Sequence, residues 1–191
     1  VKLNSADFQR GGFDVDDAID VVSLLESLKI DLVELSGGSY ESPAMQGRTA
    51  DDRTLSREAY FLEFAAQIAK ATKLPVMTTG GIRRLSIAEN VISSGVQMVG
   101  IASALALTPD LPNQWQSSPL IEGVIPVVNW KDKTLAGLAT MAQVKRQLRR
   151  IGHGKPAVSN ANPIISLLLD QLRSARLTKR YRQQYSREVS E

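Results

Sequence analysis

Pro75-Val-Met-Thr-Thr-Gly80-Gly81-Ile-Arg83, followed by Met98-Val-Gly-Ile-Ala-Ser-Ala104, decides how this chain is read. Each stretch is a short apolar run ending in small residues: the Gly80–Gly81 pair in the first, Gly100 and Ala102 in the second. Between them, Ser86 with Glu89 three residues later predicts a capping box ahead of a helical run through Ile87, Ala88, Val91 and Ile92. The pattern is strand, loop, helix, strand. Glycine has no Cβ, so its N–H can face a bound anion with no side chain in the way. The unit therefore predicts a ligand that carries a phosphate.

The same alternation extends outward. Val1 to Asn4 reads as a short strand. Asp14 is placed to cap a helix from Val15 to Leu28, with Val15, Ala18, Ile19, Val22 and Leu25 in one apolar stripe. Asp31 to Ser36 is a second strand that leads into Gly37-Gly38 and a long polar loop, Ser39 to Thr54. Ser56 to Ala71 has helical periodicity, and Pro75–Thr79 and Gln97–Ile101 are the third and fourth strands. Pro109, Pro112, Pro119 and Pro126 mark a loop-rich stretch, and two helices follow, Leu135 to Ile151 and Pro163 to Tyr185.

Strand–helix alternation argues for a parallel sheet with right-handed crossovers. Four such units are half of a (β/α)8 barrel, in which the loops after the last two strands are the usual phosphate site. The spacing also suits a doubly wound sheet. The expected division is residues 1–112 as the half-barrel and 113–191 as a loop-rich segment with carboxy-terminal helices packing on it. A four-strand piece has two unpaired edges, so it is expected to associate with another half, or with copies of itself as a homo-oligomer.

Composition narrows the classes. The chain has 191 residues, 43% of them hydrophobic, and a formal charge of +3. With no Cys there is no disulfide framework or thiolate chemistry, and one His, His153, excludes a His-based metal cluster. His153 lies in a Gly-His-Gly-Lys setting that reads as a turn. No apolar run has the length of a membrane span, and a soluble, cytoplasmic protein is expected. Arg173, Arg176, Lys179, Arg180, Arg182 and Arg187 give a basic tail. It lacks interleaved stacking aromatics, so a solvated helical face is expected, with neither nucleic acid nor membrane as partner. Val1 to Asp7 reads as a strand already in progress, which leads us to expect a larger protein with its amino-terminal part elsewhere.

Five motifs occur in one order: Lys2-Leu-Asn-Ser-Ala-Asp7-Phe-Gln-Arg-Gly-Gly-Phe13, Asp31-Leu-Val-Glu-Leu-Ser-Gly-Gly-Ser-Tyr40, Thr79-Gly-Gly-Ile-Arg83, Gly100-Ile-Ala102 and Pro109-Asp-Leu-Pro112. Together they resemble the carboxy-terminal half of the old yellow enzyme family, the NADH:flavin oxidoreductases. Trp130-Lys-Asp-Lys and Lys145-Arg-Gln-Leu resemble that family's tail. The resemblance implies a TIM barrel holding FMN at the carboxyl ends of its strands, with this chain supplying strands five to eight. It implies NADH or NADPH as reductant and an activated alkene or other small molecule as acceptor.

By the same resemblance, Lys2 matches the basic residue near the flavin pyrimidine ring, where a fixed cation stabilises the charge that reduction develops. Gly80, Gly81 and Ala102 match the phosphate-binding backbone. The family usually continues Gly-Ile-Ala-Arg-Pro; here it is Gly100-Ile-Ala-Ser103-Ala104. Ser103 donates one hydrogen bond but brings no charge. Loss of one charge-assisted contact costs roughly 1–3 kcal/mol, about ten- to a hundredfold in affinity. Arg83 and Arg84 on the neighbouring loop are the nearest source of compensating charge. Tyr40 and Glu41 follow the second strand, where residues can face a substrate mouth, but they are expected to order the long loop; Asp31 and Glu34 read as a strand-entry residue and a barrel-interior polar residue. The family's proton donor and substrate-gripping pair have no counterpart here, so no catalytic residue and no metal ligand is assigned. Two alternatives stay open: a non-catalytic half-barrel remnant with weakened flavin binding, and a barrel lyase or isomerase acting on a phosphorylated substrate.

Overall fold

The computed structural model describes residues 1–7, 9–38, 58–158 and 160–188, with residues 186–188 described by backbone alone. The polar loop, with Tyr40 and Glu41, lies outside the described residues. The chain divides into two units, residues 1–105 with 110–123, and residues 106–109 with 124–191.

The first unit is built on four short strands, β1 (Lys2–Asn4), β2 (Val33–Ser36), β3 (Val76–Thr78) and β4 (Met98–Val99). They pair in sequence order and all parallel, with Lys2 level with Glu34, Glu34 with Met77, and Met77 with Met98. A doubly wound sheet reverses its strand order at a switch point. An unreversed order with crossovers of one hand puts every helix on the same face, as in a barrel. The core agrees. Ala18 and Val22 of α1 (Val15–Leu25), Ala65 and Ile68 of α2 (Leu62–Ala71), and Ala88 and Val91 of α3 (Leu85–Ser93) bury against Val33, Leu35 and Val76 on one face of the sheet. The first unit is thus α/β with a parallel sheet, consistent with part of a barrel.

Local chemistry sets the helix ends. Asp14 caps α1 by accepting from the amides of Asp16 and Asp17, and Asp17 reaches back to the Asp14 amide. The helix stops at Leu25 rather than Leu28. The expected capping box of Ser86 and Glu89 does not form. The cap position of α3 is Arg84, with no side-chain cap of its own, which leaves Ser86 inside the helix. The helix expected from Ser56 begins only at Leu62, because Ala59 sits at φ 55°, a left-handed conformation that a helix does not admit.

Within the stretch expected to be loop, two short helices form: α4 (Ser103–Leu107) and α5 (Leu111–Ser117). Pro112 is in the first turn of α5, where a missing N–H is harmless. Leu111 and Trp115 carry α5 into the core, and the Trp115 indole donates to the Ile121 carbonyl at 2.9 Å.

The second unit is a helical hairpin of α6 (Lys133–Gly152) and α7 (Pro163–Glu188). Asp132 caps α6 through the Leu135 amide at 2.9 Å. The buried Gln147 accepts the Val158 amide at 2.7 Å, and Gln143 donates to the Ala161 carbonyl, so two glutamines of α6 hold the connecting segment. Asp170 takes Lys145 at 3.0 Å and Arg149 at 3.1 Å. Burial pushes its carboxyl up, but the hydrogen bonds from Lys145 and Arg149 outweigh that, and the group titrates below the ordinary value of 3.8. The sign follows: a depressed folded-state pKa gives stability that is present above pH 3.8 and lost as pH falls through the lower native value. Acid titration by circular dichroism should show hairpin helicity falling below that pH, and Asp170→Asn should flatten this limb while lowering stability at neutral pH. An unchanged acid limb in the variant would refute the assignment.

Candidate functional site at the carboxyl ends of the strands

Because the strands are parallel, the loops after β3 and β4 emerge side by side at one end of the sheet. They carry Gly80 and Gly81, and Ala102 and Ser103. The Gly100 amide donates to the Thr78 carbonyl at 2.8 Å, and the Gly123 amide to the Arg83 carbonyl at 2.8 Å. A Cβ on Gly123 would stand 2.8 Å from the Ala104 Cβ, so this glycine lets both loops close on one point. Gly81, Ala102 and Ser103 are exposed and Gly80 is half-buried. Four of the five residues singled out by sequence therefore share one neighbourhood.

The glycines also have a packing reason. Gly80 has φ 123° and Gly81 φ 70°. A Cβ on Gly80 would stand 2.8 Å from the Tyr60 amide nitrogen, and one on Gly81 would meet the Tyr60 phenol. Tyr60 thus lies along the loop. Burial pushes its phenol up, the Glu58 charge adds to this, and Arg83 offsets part, so the hydroxyl keeps its proton and remains a donor at neutral pH.

Glu58 is the residue that sequence reasoning missed. Its carboxylate is almost completely buried and accepts the amides of Arg83 at 3.0 Å and Arg84 at 3.2 Å and the Arg84 Nε at 2.7 Å. Arg83 pairs with it as well, at 3.4 Å, and with Glu122 at 2.9 Å. An acid at the start of a helix is favoured by the unpaired amides there. Both arginines expected to compensate for Ser103 are therefore engaged by carboxylates. The sequence held no signal for this: Glu58 and Arg83 are 25 residues apart and follow neither a helical nor a strand repeat.

Lys2 stands apart from the loops. It is on β1, with β2 between it and β3, and level with Met77, three residues before Gly80. Strand spacing and rise put it on the order of 10–15 Å from Gly80. A flavin ring joined through its ribityl chain to a phosphate has this reach, and on that ground the residues fit FMN. Lys2 Nζ donates to Glu34 Oε1 at 2.7 Å. The two head the level row Lys2, Glu34, Met77, Met98, on the sheet face opposite the helix-covered core. Lys2 and Met98 are exposed there. Asp31 precedes β2 and is exposed. His153 ends α6, with Nδ1 2.6 Å from the Arg149 carbonyl. Among the described residues no three His, Cys, Asp or Glu side chains are grouped to hold a metal, and no helix is long and apolar enough to cross a membrane.

Residues 52–140, which include both loops, match a family model described as histidine biosynthesis protein, a TIM-barrel family. NADH-dependent flavin oxidoreductase iliE of Neonectria sp. (strain DH2) is 30% identical over 151 residues, 74% of this chain and 20% of that protein. NADH-dependent flavin oxidoreductase nadA of Aspergillus parasiticus is 29% identical over 154 residues, 80% of this chain and 34% of that protein. A 4,4'-dithiodibutanoate disulfide reductase of Rhodococcus erythropolis is 25% identical over 150 residues, 64% of this chain and 37% of that protein. The chain thus spans about a fifth to a third of the length of the flavin oxidoreductases it matches. Several such matches, over half to four-fifths of the chain, agree with its ordered motifs and support an old yellow enzyme-like family member.

Proposed function

We propose that this chain supplies strands five to eight of an FMN-binding (β/α)8 barrel, in a protein that moves a hydride from NADH or NADPH to a small-molecule acceptor such as an activated alkene. The observation that carries the reading is the open sheet face headed by Lys2 and ending at two exposed, glycine-shaped loops. Bound FMN would supply the hydride chemistry. The amides of Gly80, Gly81 and Ala102, with the Ser103 hydroxyl, would hold its phosphate. Lys2 would hold positive charge toward the ring, with Glu34 fixing and partly neutralising it. The first half of the barrel is the partner that would cover the open face and bring the proton-transfer and substrate-gripping groups.

Two variants in the complete protein test the roles separately. Ser103→Arg should strengthen FMN binding by up to about ten- to a hundredfold, with the gain shrinking at high salt. Lys2→Met should leave affinity for the phosphate end nearly unchanged and make the flavin harder to reduce, while Glu34→Gln, which frees the Lys2 charge, should make it easier. Titration followed by flavin absorbance, and a measured midpoint potential, read both. If the parent and Ser103→Arg alike fail to bind FMN with both halves present, the chain is a half-barrel remnant that has lost the cofactor. The absence of a positively charged partner at Ser103 and the engagement of Arg83 and Arg84 by carboxylates favour that second reading.

A further inference from the structure

We propose that the hairpin unit carries a second anion site, independent of the flavin reading, that takes a small oligophosphate group. A cavity of ≈ 390 Å³ lies between the end of α6, the turn after it and α7. Arg146, Arg149, Arg150, His153, Lys155 and Arg173 line it, over an apolar wall from Leu169, and no acidic side chain is among its lining. Five formal positive charges on one cavity repel one another unless an anion balances them. Asp170, behind the lining, takes Arg149 at 3.1 Å and also serves Lys145 outside it. One carboxylate does not balance the set.

Two of the remaining cations are positioned by neutral groups. Arg146 donates to the Ser166 hydroxyl at 3.2 Å and Arg150 to the Pro156 carbonyl at 2.9 Å. These contacts fix two guanidinium groups without using up their charge. Lys155 and Arg173 form no ion pair among the described residues. The carbonyl end of α6 explains basic residues in its last turn, Arg149 and Arg150. It does not explain Arg173, on another helix, or Lys155, beyond the turn. Guanidinium forks match phosphate oxygens, and several converging on one cavity select for multiple negative charges. The volume admits more than one phosphate group, as in pyrophosphate or a nucleoside diphosphate.

The experiment uses the full-length protein and inorganic pyrophosphate, followed by calorimetry, with ADP as a second probe and a single-stranded oligonucleotide as a third. Saturable pyrophosphate binding tighter than about 1 mM is expected. Arg173→Glu and Lys155→Glu should each weaken it by about tenfold or more. Arg180→Glu, on α7 but outside the lining, should change it less than about twofold. Tighter binding of ADP than of pyrophosphate would identify the group as part of a nucleotide, and equal binding would identify the free anion; either supports the site. Arg173→Lys and Lys155→Arg keep the charge and should keep at least part of the binding, which separates charge from folding. Absent saturation, equal losses in Arg180→Glu, or binding of the oligonucleotide alone would overturn the proposal in favour of a diffuse basic surface.

Discussion

Gly80→Ala should destabilise the first unit by about 2–4 kcal/mol, enough to unfold a marginal domain. Two costs combine at this position. A φ of 123° lies outside what a residue with a Cβ adopts comfortably. The new methyl would also stand 2.8 Å from a backbone atom, the Tyr60 nitrogen, which cannot rotate out of the way. Neighbouring glycines provide the scale. Gly81→Ala meets chiefly the far end of the Tyr60 side chain, which can turn aside, and should cost less. Gly95→Ala, at φ 91° with nothing within 4 Å, isolates the backbone term and should cost about 1–2 kcal/mol. Denaturant midpoints at an unchanged slope measure all three. Equal losses at Gly80 and Gly95 would mean that the contact with Tyr60 carries no weight.

Glu58→Ala should cost about 2–4 kcal/mol, through a different mechanism. The substitution leaves the Arg83 and Arg84 amides without their acceptor at the start of α3 and removes the carboxylate between two guanidinium groups. Both arginines are partly exposed and can take up water, which holds the loss below that of a fully buried pair. Glu58→Gln retains an acceptor oxygen without the charge and should recover about half of the loss. Thermal or denaturant unfolding of the two variants is the measurement. A loss under about 0.5 kcal/mol for Glu58→Ala would reduce these contacts to ordinary surface ion pairs.

These two positions show where the sequence stops being informative. Gly80 and Gly81 are legible as a turn after a strand, and their chemistry permits a phosphate. Their tightest contact is with Tyr60, twenty residues earlier, which no local pattern announces. Glu58 carries no signal at all, because an isolated acid before an apolar run belongs equally well to solvent. Ser86 and Glu89 show the reverse case, a correct local motif that does not form. The helix starts two residues earlier, capped at Arg84 rather than Ser86, and receives its acid from Glu58, through space.

By itself the sequence determined the alternation of strands and helices, the core stripe of α1 with its Asp14 cap, and the ordered motifs that carry the family. Each depends on periodicity or short-range hydrogen bonding, which are properties of neighbouring residues. Only the tertiary structure decided that the strands keep their order 1-2-3-4, which separates one-sided from doubly wound packing. It alone set Lys2 against Glu34, engaged Arg83 and Arg84 with carboxylates, and gathered the cations of α6, its turn and α7 around one cavity. All of these pairings join residues distant in sequence, and their energies depend on burial and on the charges nearby, neither of which a linear pattern encodes.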